Sequence, residues 1–82
     1  MNISGVLVRA WPAQIAGVRA QLEAQPGVEV HAVSEDGRLV VTVEEESDRL
    51  LADRITQFNE ITGVLSAAMI YHHHESDQET AQ

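Results

Sequence analysis

An Asp36-Gly37 turn between two strand-forming runs constrains the fold of this 82-residue chain more than any other segment. The Asp-Gly pair supplies the positive φ that a tight hairpin requires, at low steric cost. Residues 28–34 alternate apolar and polar side chains, and residues 38–44 are rich in valine, a residue enriched in strands. The centre of the chain is therefore predicted to be an antiparallel β-hairpin.

Each side of this hairpin carries one further strand and one helix. A β-branched strand is predicted over residues 3–10, and apolar residues recur at helical spacing in residues 13–24. After the hairpin, Ser47 or Asp48 can cap a second amphipathic helix, and an apolar run over residues 64–73 predicts a fourth strand. The predicted order of elements is β-α-β-β-α-β.

This order predicts an α+β fold of the ferredoxin-like, split β-α-β type, a four-stranded antiparallel sheet with two helices on one face. The length of the chain allows a single domain, which we predict over residues 1–74. Residues 75–82 (ESDQETAQ) are polar and acidic, and they are predicted to form a disordered tail. The sheet face away from the helices is then open to solvent or to a partner.

The composition excludes several classes of function. Thirteen acidic residues against five basic ones give a net charge of −8, which repels nucleic-acid backbones and anionic membrane surfaces and attracts a cationic partner. The absence of cysteine excludes disulfides and thiolate chemistry. No run approaches the length of a membrane-spanning helix, and the first residues lack the pattern of an export signal. We therefore predict a cytoplasmic protein without nucleic-acid partners and without direct membrane insertion.

Strict alternation along the strands predicts which side chains lie on the open face. In the fourth strand it places Leu65, Ala67 and Met69 towards the helices and Val64 away from them. The predicted open face comprises Gly5, Leu7, Arg9, Glu29, Val40, Thr42, Glu44, Ser66, Ala68, Ile70 and His72. An apolar patch with charged margins is typical of a binding surface. Self-association through this face is the alternative interpretation.

The sequence offers no constellation of catalytic groups. Its serines lack a nucleophile-elbow context, and its five glycines are scattered singly rather than forming a phosphate-binding loop. The His72-His73-His74 run has too few additional ligands for a structural zinc site. We therefore predict that the chain is not an enzyme and has no catalytic residue, cofactor or metal site.

The ordered combination of motifs resembles the NapD family of assembly chaperones. The residues that carry the resemblance are SGVLVRA at 4–10, PGVEV at 26–30, GRLVVTVE at 37–44, GVL at 63–65 and the Tyr71-His72 pair. The resemblance implies a cytoplasmic, non-catalytic protein that binds the twin-arginine signal peptide of the periplasmic nitrate reductase catalytic subunit. It further implies that the peptide docks as a helix on the open sheet face, and that export is delayed until the cofactor of the reductase is loaded.

Under this interpretation the open face divides into an apolar platform and a charged margin. We expect Glu29 and Glu44 to meet the two arginines of the peptide. The platform is predicted to comprise Leu7, Val40, Thr42, Ala68 and Ile70. Two alternatives from other classes are a ferredoxin-like regulatory module that binds a small ligand, and a metal carrier that uses the histidine run.

Overall fold

The computed structural model describes residues 2–74. The N-terminal residue and the acidic segment 75–82, for which a disordered tail is predicted, lie outside the described residues. The elements are β1 (Asn2–Ala10), a 3-10 turn (Pro12–Gln14), α1 (Ile15–Glu23), β2 (Val28–Val33), β3 (Arg38–Glu45), α2 (Asp48–Phe58) and β4 (Val64–His74). The four strands form one antiparallel sheet in the order β2-β3-β1-β4. The predicted α+β fold with β-α-β-β-α-β order is confirmed.

The core lies between the two helices and one face of the sheet. Valine and leucine side chains of β1 and β3 alternate into it, and Val18 and Leu22 of α1 cover them together with Leu51 and Phe58 of α2. Phe58 is the largest fully buried side chain of the described residues. Because the inner strands bury every second residue on this side, their other residues must face away from the helices.

Local chemistry fixes the start and the end of α2. The Ser47 hydroxyl accepts a hydrogen bond from the Leu50 N–H at 3.2 Å, which satisfies one of the unpaired donors of the first turn. At the other end, the Asn59 side chain donates to the Ala67 carbonyl at 3.1 Å and accepts from the Ala67 N–H at 2.9 Å. This amide therefore joins the end of α2 directly to the edge strand β4.

The hairpin turn between β2 and β3 is held by its own side chains. Gly37 has a φ of +100°, as the Asp-Gly turn predicts, and its carbonyl accepts a hydrogen bond from the Ala10 N–H at 2.7 Å. Asp36 accepts a hydrogen bond from the Ser34 hydroxyl. It also forms an ion pair with Arg38, with 3.2 Å between Asp36 Oδ2 and Arg38 Nη2. The pKa of Asp36 is held below its ordinary value. The hydrogen bond from the Ser34 hydroxyl is the largest cause, and the Arg38 guanidinium is the next.

Irregular pairing in β4 corrects the predicted alternation at its first residues. Ala10 pairs with Val64 and Arg9 pairs with Ser66, so that Leu65 has no partner across the ladder. Val64 consequently packs against the core, whereas Leu65 is 53% exposed. The prediction that Leu65 faces the helices and Val64 faces away is wrong, because a bulge shifts the side-chain period by one residue.

Candidate functional site: the open face of the sheet

The pairing register arranges the open face in rows that run across the strands. The central row consists of Ala32, Val40, Leu7 and Ala68, contributed in turn by β2, β3, β1 and β4. We call these four residues the apolar row. None of them carries a charge, and small side chains stand at both edges. Such a row offers a low apolar surface that an elongated partner can approach closely.

A shallow depression deepens the apolar row near the hairpin. It has a volume of about 240 Å³ and is lined by Leu7, Ala32, Val33, Ser34, Arg38 and Val40. Its floor is mainly aliphatic, and Arg38 stands at its margin.

One end of the open face is acidic. Glu29 and Thr42 lie opposite each other in the row next to the apolar row, and Glu44 lies opposite Ile3 in the row beyond. Within residues 2–74, the ion-pair contact of the Glu29 carboxylate is with His31, with 3.7 Å between Oε1 and Nε2. Glu44 forms no ion pair with any residue between 2 and 74. We call Glu29 and Glu44 the acidic end.

A second depression adjoins the acidic end. It has a volume of about 330 Å³ and is lined by Pro26, Gly27, Glu44, Glu45, Glu46 and Arg54. Arg54 neutralises one of these carboxylates, because its Nη1 lies 2.6 Å from Glu45 Oε2 and both side chains are largely buried. Its Nη2 donates to the Pro26 carbonyl at 2.6 Å. The carboxylates of Glu44 and Glu46 are therefore left for a cationic group from outside the described residues.

The opposite end of the open face is cationic. Arg9 and Arg38 are direct partners across the β1–β3 ladder, and Ser66 lies on the other side of Arg9. Arg38 is paired with Asp36, whereas Arg9 forms no ion pair with another residue of the described range. We call Arg9 and Arg38 the cationic end. The open face thus carries an apolar centre between opposite charges.

Nine of the eleven residues predicted for the open face lie on it. The register places Gly5, Leu7, Arg9, Glu29, Val40, Thr42, Glu44, Ser66 and Ala68 together on this side of the sheet. Ile70 is the extra residue of a second bulge in β4, between the pairs Val6–Met69 and Gly5–Tyr71. It is exposed, but it has no partner in the ladder that would align it with the apolar row.

The same bulge moves His72 to the helix side, so its predicted place on the open face is wrong. His72 pairs across the ladder with the buried Ser4, and its Nε2 lies 3.5 Å from Asp48 Oδ1 at the start of α2. Strict alternation placed it on the open face because a bulge leaves no mark in a strand that is apolar on both sides.

Tyr71 is a residue of the open face that alternation missed. It pairs with Gly5, and its ring lies over that glycine, so a Cβ at position 5 would lie 2.2 Å from the ring. Tyr71 is 50% exposed. A glycine inside a strand marks a site of close approach, and an aromatic side chain often covers such a glycine from the next strand. That signal was present in the sequence.

The histidine run does not assemble into a metal site within residues 2–74. No group of three or more His, Cys, Asp or Glu side chains in this range is arranged to hold a metal ion. His72 and its neighbour His73 pair with Ser4 and Ile3, which face opposite sides of the sheet. In the same part of the chain, no helix has the length and apolar character needed to cross a membrane.

Comparisons with known proteins agree on one family. The family model described as "NapD protein" matches residues 1–76. Chaperone NapD of Escherichia coli K12 is 35% identical over 80 residues, which cover 95% of this chain and 91% of the relative. Chaperone NapD of Haemophilus influenzae is 24% identical over 79 residues, covering 95% and 83% of the two chains.

A solved structure supports the same assignment. The solution structure of the E. coli Tat proofreading chaperone protein NapD superimposes with a TM-score of 0.79 at 31% identity. The match covers 93% of this chain and 80% of that one. The resemblance read from the sequence and the prediction that the chain is not an enzyme are both confirmed. The chain belongs to the NapD family of chaperones.

Proposed function

We propose that this protein binds the twin-arginine signal peptide of the catalytic subunit of periplasmic nitrate reductase, in the cytoplasm. The observation that carries the proposal is the apolar row that lies uncovered between the acidic end and the cationic end. The peptide that it fits has an arginine pair next to an apolar stretch. A related protein of the same fold is described as a Tat proofreading chaperone.

The apolar stretch of the peptide would lie across the apolar row, between the acidic end and the cationic end. Burial of apolar surface stabilises such a complex by roughly 25 cal/mol per Å². Leu7 stands on an inner strand and Val40 stands beside it, so both would be covered completely by a docked chain. Ser66 and Ala68 have small, exposed side chains, which let the backbone of the peptide approach the sheet.

The arginine pair would meet Glu29 and Glu44. A guanidinium binds a carboxylate with paired, charge-assisted hydrogen bonds, and Glu44 has no competing cation among residues 2–74. The Tyr71 ring lies over Gly5, and Glu44 is the diagonal cross-strand neighbour of Gly5, a separation that long side chains bridge. An arginine could therefore stack on the ring while it pairs with the carboxylate.

Export would be delayed by simple competition. A signal peptide that lies against the sheet is not available to the export machinery, so the bound fraction sets how long the precursor is retained. The interval allows the reductase to receive its cofactor. The chaperone itself needs no catalytic group for this role. Family membership favours it over a regulatory module for a small ligand or a metal carrier.

Chemical-shift mapping tests where the peptide binds. We expect the largest shift changes at the amides of Leu7, Val40, Thr42 and Ala68 when a synthetic twin-arginine peptide is added to ¹⁵N-labelled protein. Ala16 and Ala20, exposed on α1, should change little. A control peptide with serine and glycine in place of the apolar stretch should give much smaller changes. Changes confined to α1 and α2 would refute the assignment to the open face.

A further inference from the structure

The cationic end is an arrangement that stability alone does not favour. Arg9 and Arg38 stand directly opposite each other on neighbouring strands, and like charges in such positions destabilise a sheet. Asp36 offsets Arg38, but no residue between 2 and 74 forms an ion pair with Arg9. Both arginines flank the apolar row. The two arginines therefore act on any partner that crosses the apolar row in the direction of the strands.

We propose that the two charged ends fix the direction in which the bound peptide lies. Its arginine pair lies at the acidic end, and the segment that follows the apolar stretch lies over Arg9 and Arg38. The peptide then runs in the same direction as β1, from Ile3 towards Arg9. This inference rests on the proposed function and adds to it a single orientation.

The distance between the acidic end and the cationic end allows the protein to distinguish the two orientations of the peptide. Glu44 and Arg38 are six residues apart on β3, which corresponds to about 20 Å at 3.3 Å per residue. The Debye length at physiological ionic strength is only about 8 Å. Each end is therefore felt by the charges next to it and is screened from those at the other end.

The reverse orientation would be opposed at both ends. It would bring the two arginines of the peptide beside Arg9 and Arg38, and it would leave Glu29 and Glu44 without cations. In the proposed orientation, the arginine pair of the peptide is kept away from the cationic end. A helix of about 13 residues spans the 20 Å, and its last carbonyls carry partial negative charge that favours nearby arginines. The same preference holds for an extended peptide, because it follows from the arginine pair alone.

Paramagnetic relaxation enhancement tests the direction. A nitroxide at the N-terminus of the twin-arginine peptide should broaden the amide signals of Ile3 and Glu44, and a nitroxide at its C-terminus should broaden those of Arg9 and Ser66. The opposite assignment, or equal broadening of both ends by each label, would overturn the orientation while leaving the proposed function intact. Absence of saturable binding would overturn both.

A charge-reversed variant tests whether the cationic end is the cause. In Arg9→Glu/Arg38→Glu both ends attract the peptide arginines, so the N-terminal nitroxide should broaden signals at both ends. Arg19→Glu is the matched control, because Arg19 lies on α1 and pairs with Glu23 at 3.1 Å on the helix side. It should retain the wild-type pattern. A double variant that is folded by circular dichroism and keeps the wild-type pattern would also overturn the inference.

Discussion

Leu7→Glu is expected to weaken binding of the twin-arginine peptide by at least about 100-fold, which corresponds to about 2.7 kcal/mol. Leu7 lies on an inner strand in the middle of the apolar row, with Val40 on one side and Ala68 on the other. A carboxylate at this position loses the apolar contact and must be desolvated when the peptide covers it. Isothermal titration calorimetry measures the change in Kd.

The matched control for this substitution is Leu50→Glu. Leu50 is a more exposed leucine than the partly buried Leu7, at 47%, and it lies in the first turn of α2 on the other side of the sheet. A glutamate there completes a capping box with Ser47 and should leave the helix as stable as before or more so. We expect its Kd to equal that of the wild type. Equal losses of affinity in the two variants, or no loss of affinity in a folded Leu7→Glu protein, would refute the assignment of Leu7 to the peptide-binding surface.

Gly37→Ala is expected to lower the free energy of unfolding by about 3 kcal/mol, the sum of a left-handed backbone penalty and overpacking. Gly37 has a φ of +100°, and a Cβ there would lie 2.1 Å from the carbonyl oxygen of Ala10. The neighbouring atoms are backbone of β1, so no side chain can move aside. The β2–β3 hairpin must shift instead, against the hydrogen bond from the Ala10 N–H.

The same change at Gly17 should have the opposite sign. Gly17 lies within α1, and a Cβ there would meet nothing within 4 Å apart from its chain neighbours and the backbone of its own helix. Alanine favours the helix over glycine by up to about 1 kcal/mol, so Gly17→Ala should raise the free energy of unfolding. Urea denaturation of the two variants beside the wild type gives both values. A Gly37→Ala protein as stable as the wild type would contradict the close approach of the turn to β1.

The sequence predicted the two inner strands better than the two edge strands. Alternation placed Leu7 and Val40 correctly, because β1 and β3 are paired on both sides and bury every second residue. The three register shifts within residues 2–74 each occur where an inner strand pairs with an edge strand. The extra residue lies on the edge strand each time: His31 in β2, and Leu65 and Ile70 in β4. Edge strands tolerate an extra residue because nothing pairs with their outer side.

The bulges explain the errors at the candidate site: the bulge at His31 brings Ala32 into the apolar row, where alternation did not place it, and the bulge at Ile70 affects His72 and Tyr71. β4 reads VLSAAMIYHHH, and its apolar side chains occur on both faces, so its sequence holds no period that a bulge could interrupt. Strict alternation therefore placed His72 on the open face, where the structure has Tyr71. The register also places the acidic and the basic side chains at opposite ends of the open face. A net charge of −8 predicted a cationic partner, but only the pairing of Arg9 with Arg38 shows where that partner would be repelled.

We expect this protein to recognise both the arginine pair and the apolar stretch of its peptide. The test is titration calorimetry with a twin-arginine signal peptide, beside the same peptide with both arginines replaced by glutamine. We expect saturable binding of the first peptide and at least about tenfold weaker binding of the second, with a difference that shrinks as salt screens the charges. Equal affinity for the two peptides would refute recognition of the arginine pair, and no saturable heat with the first would refute binding of the peptide.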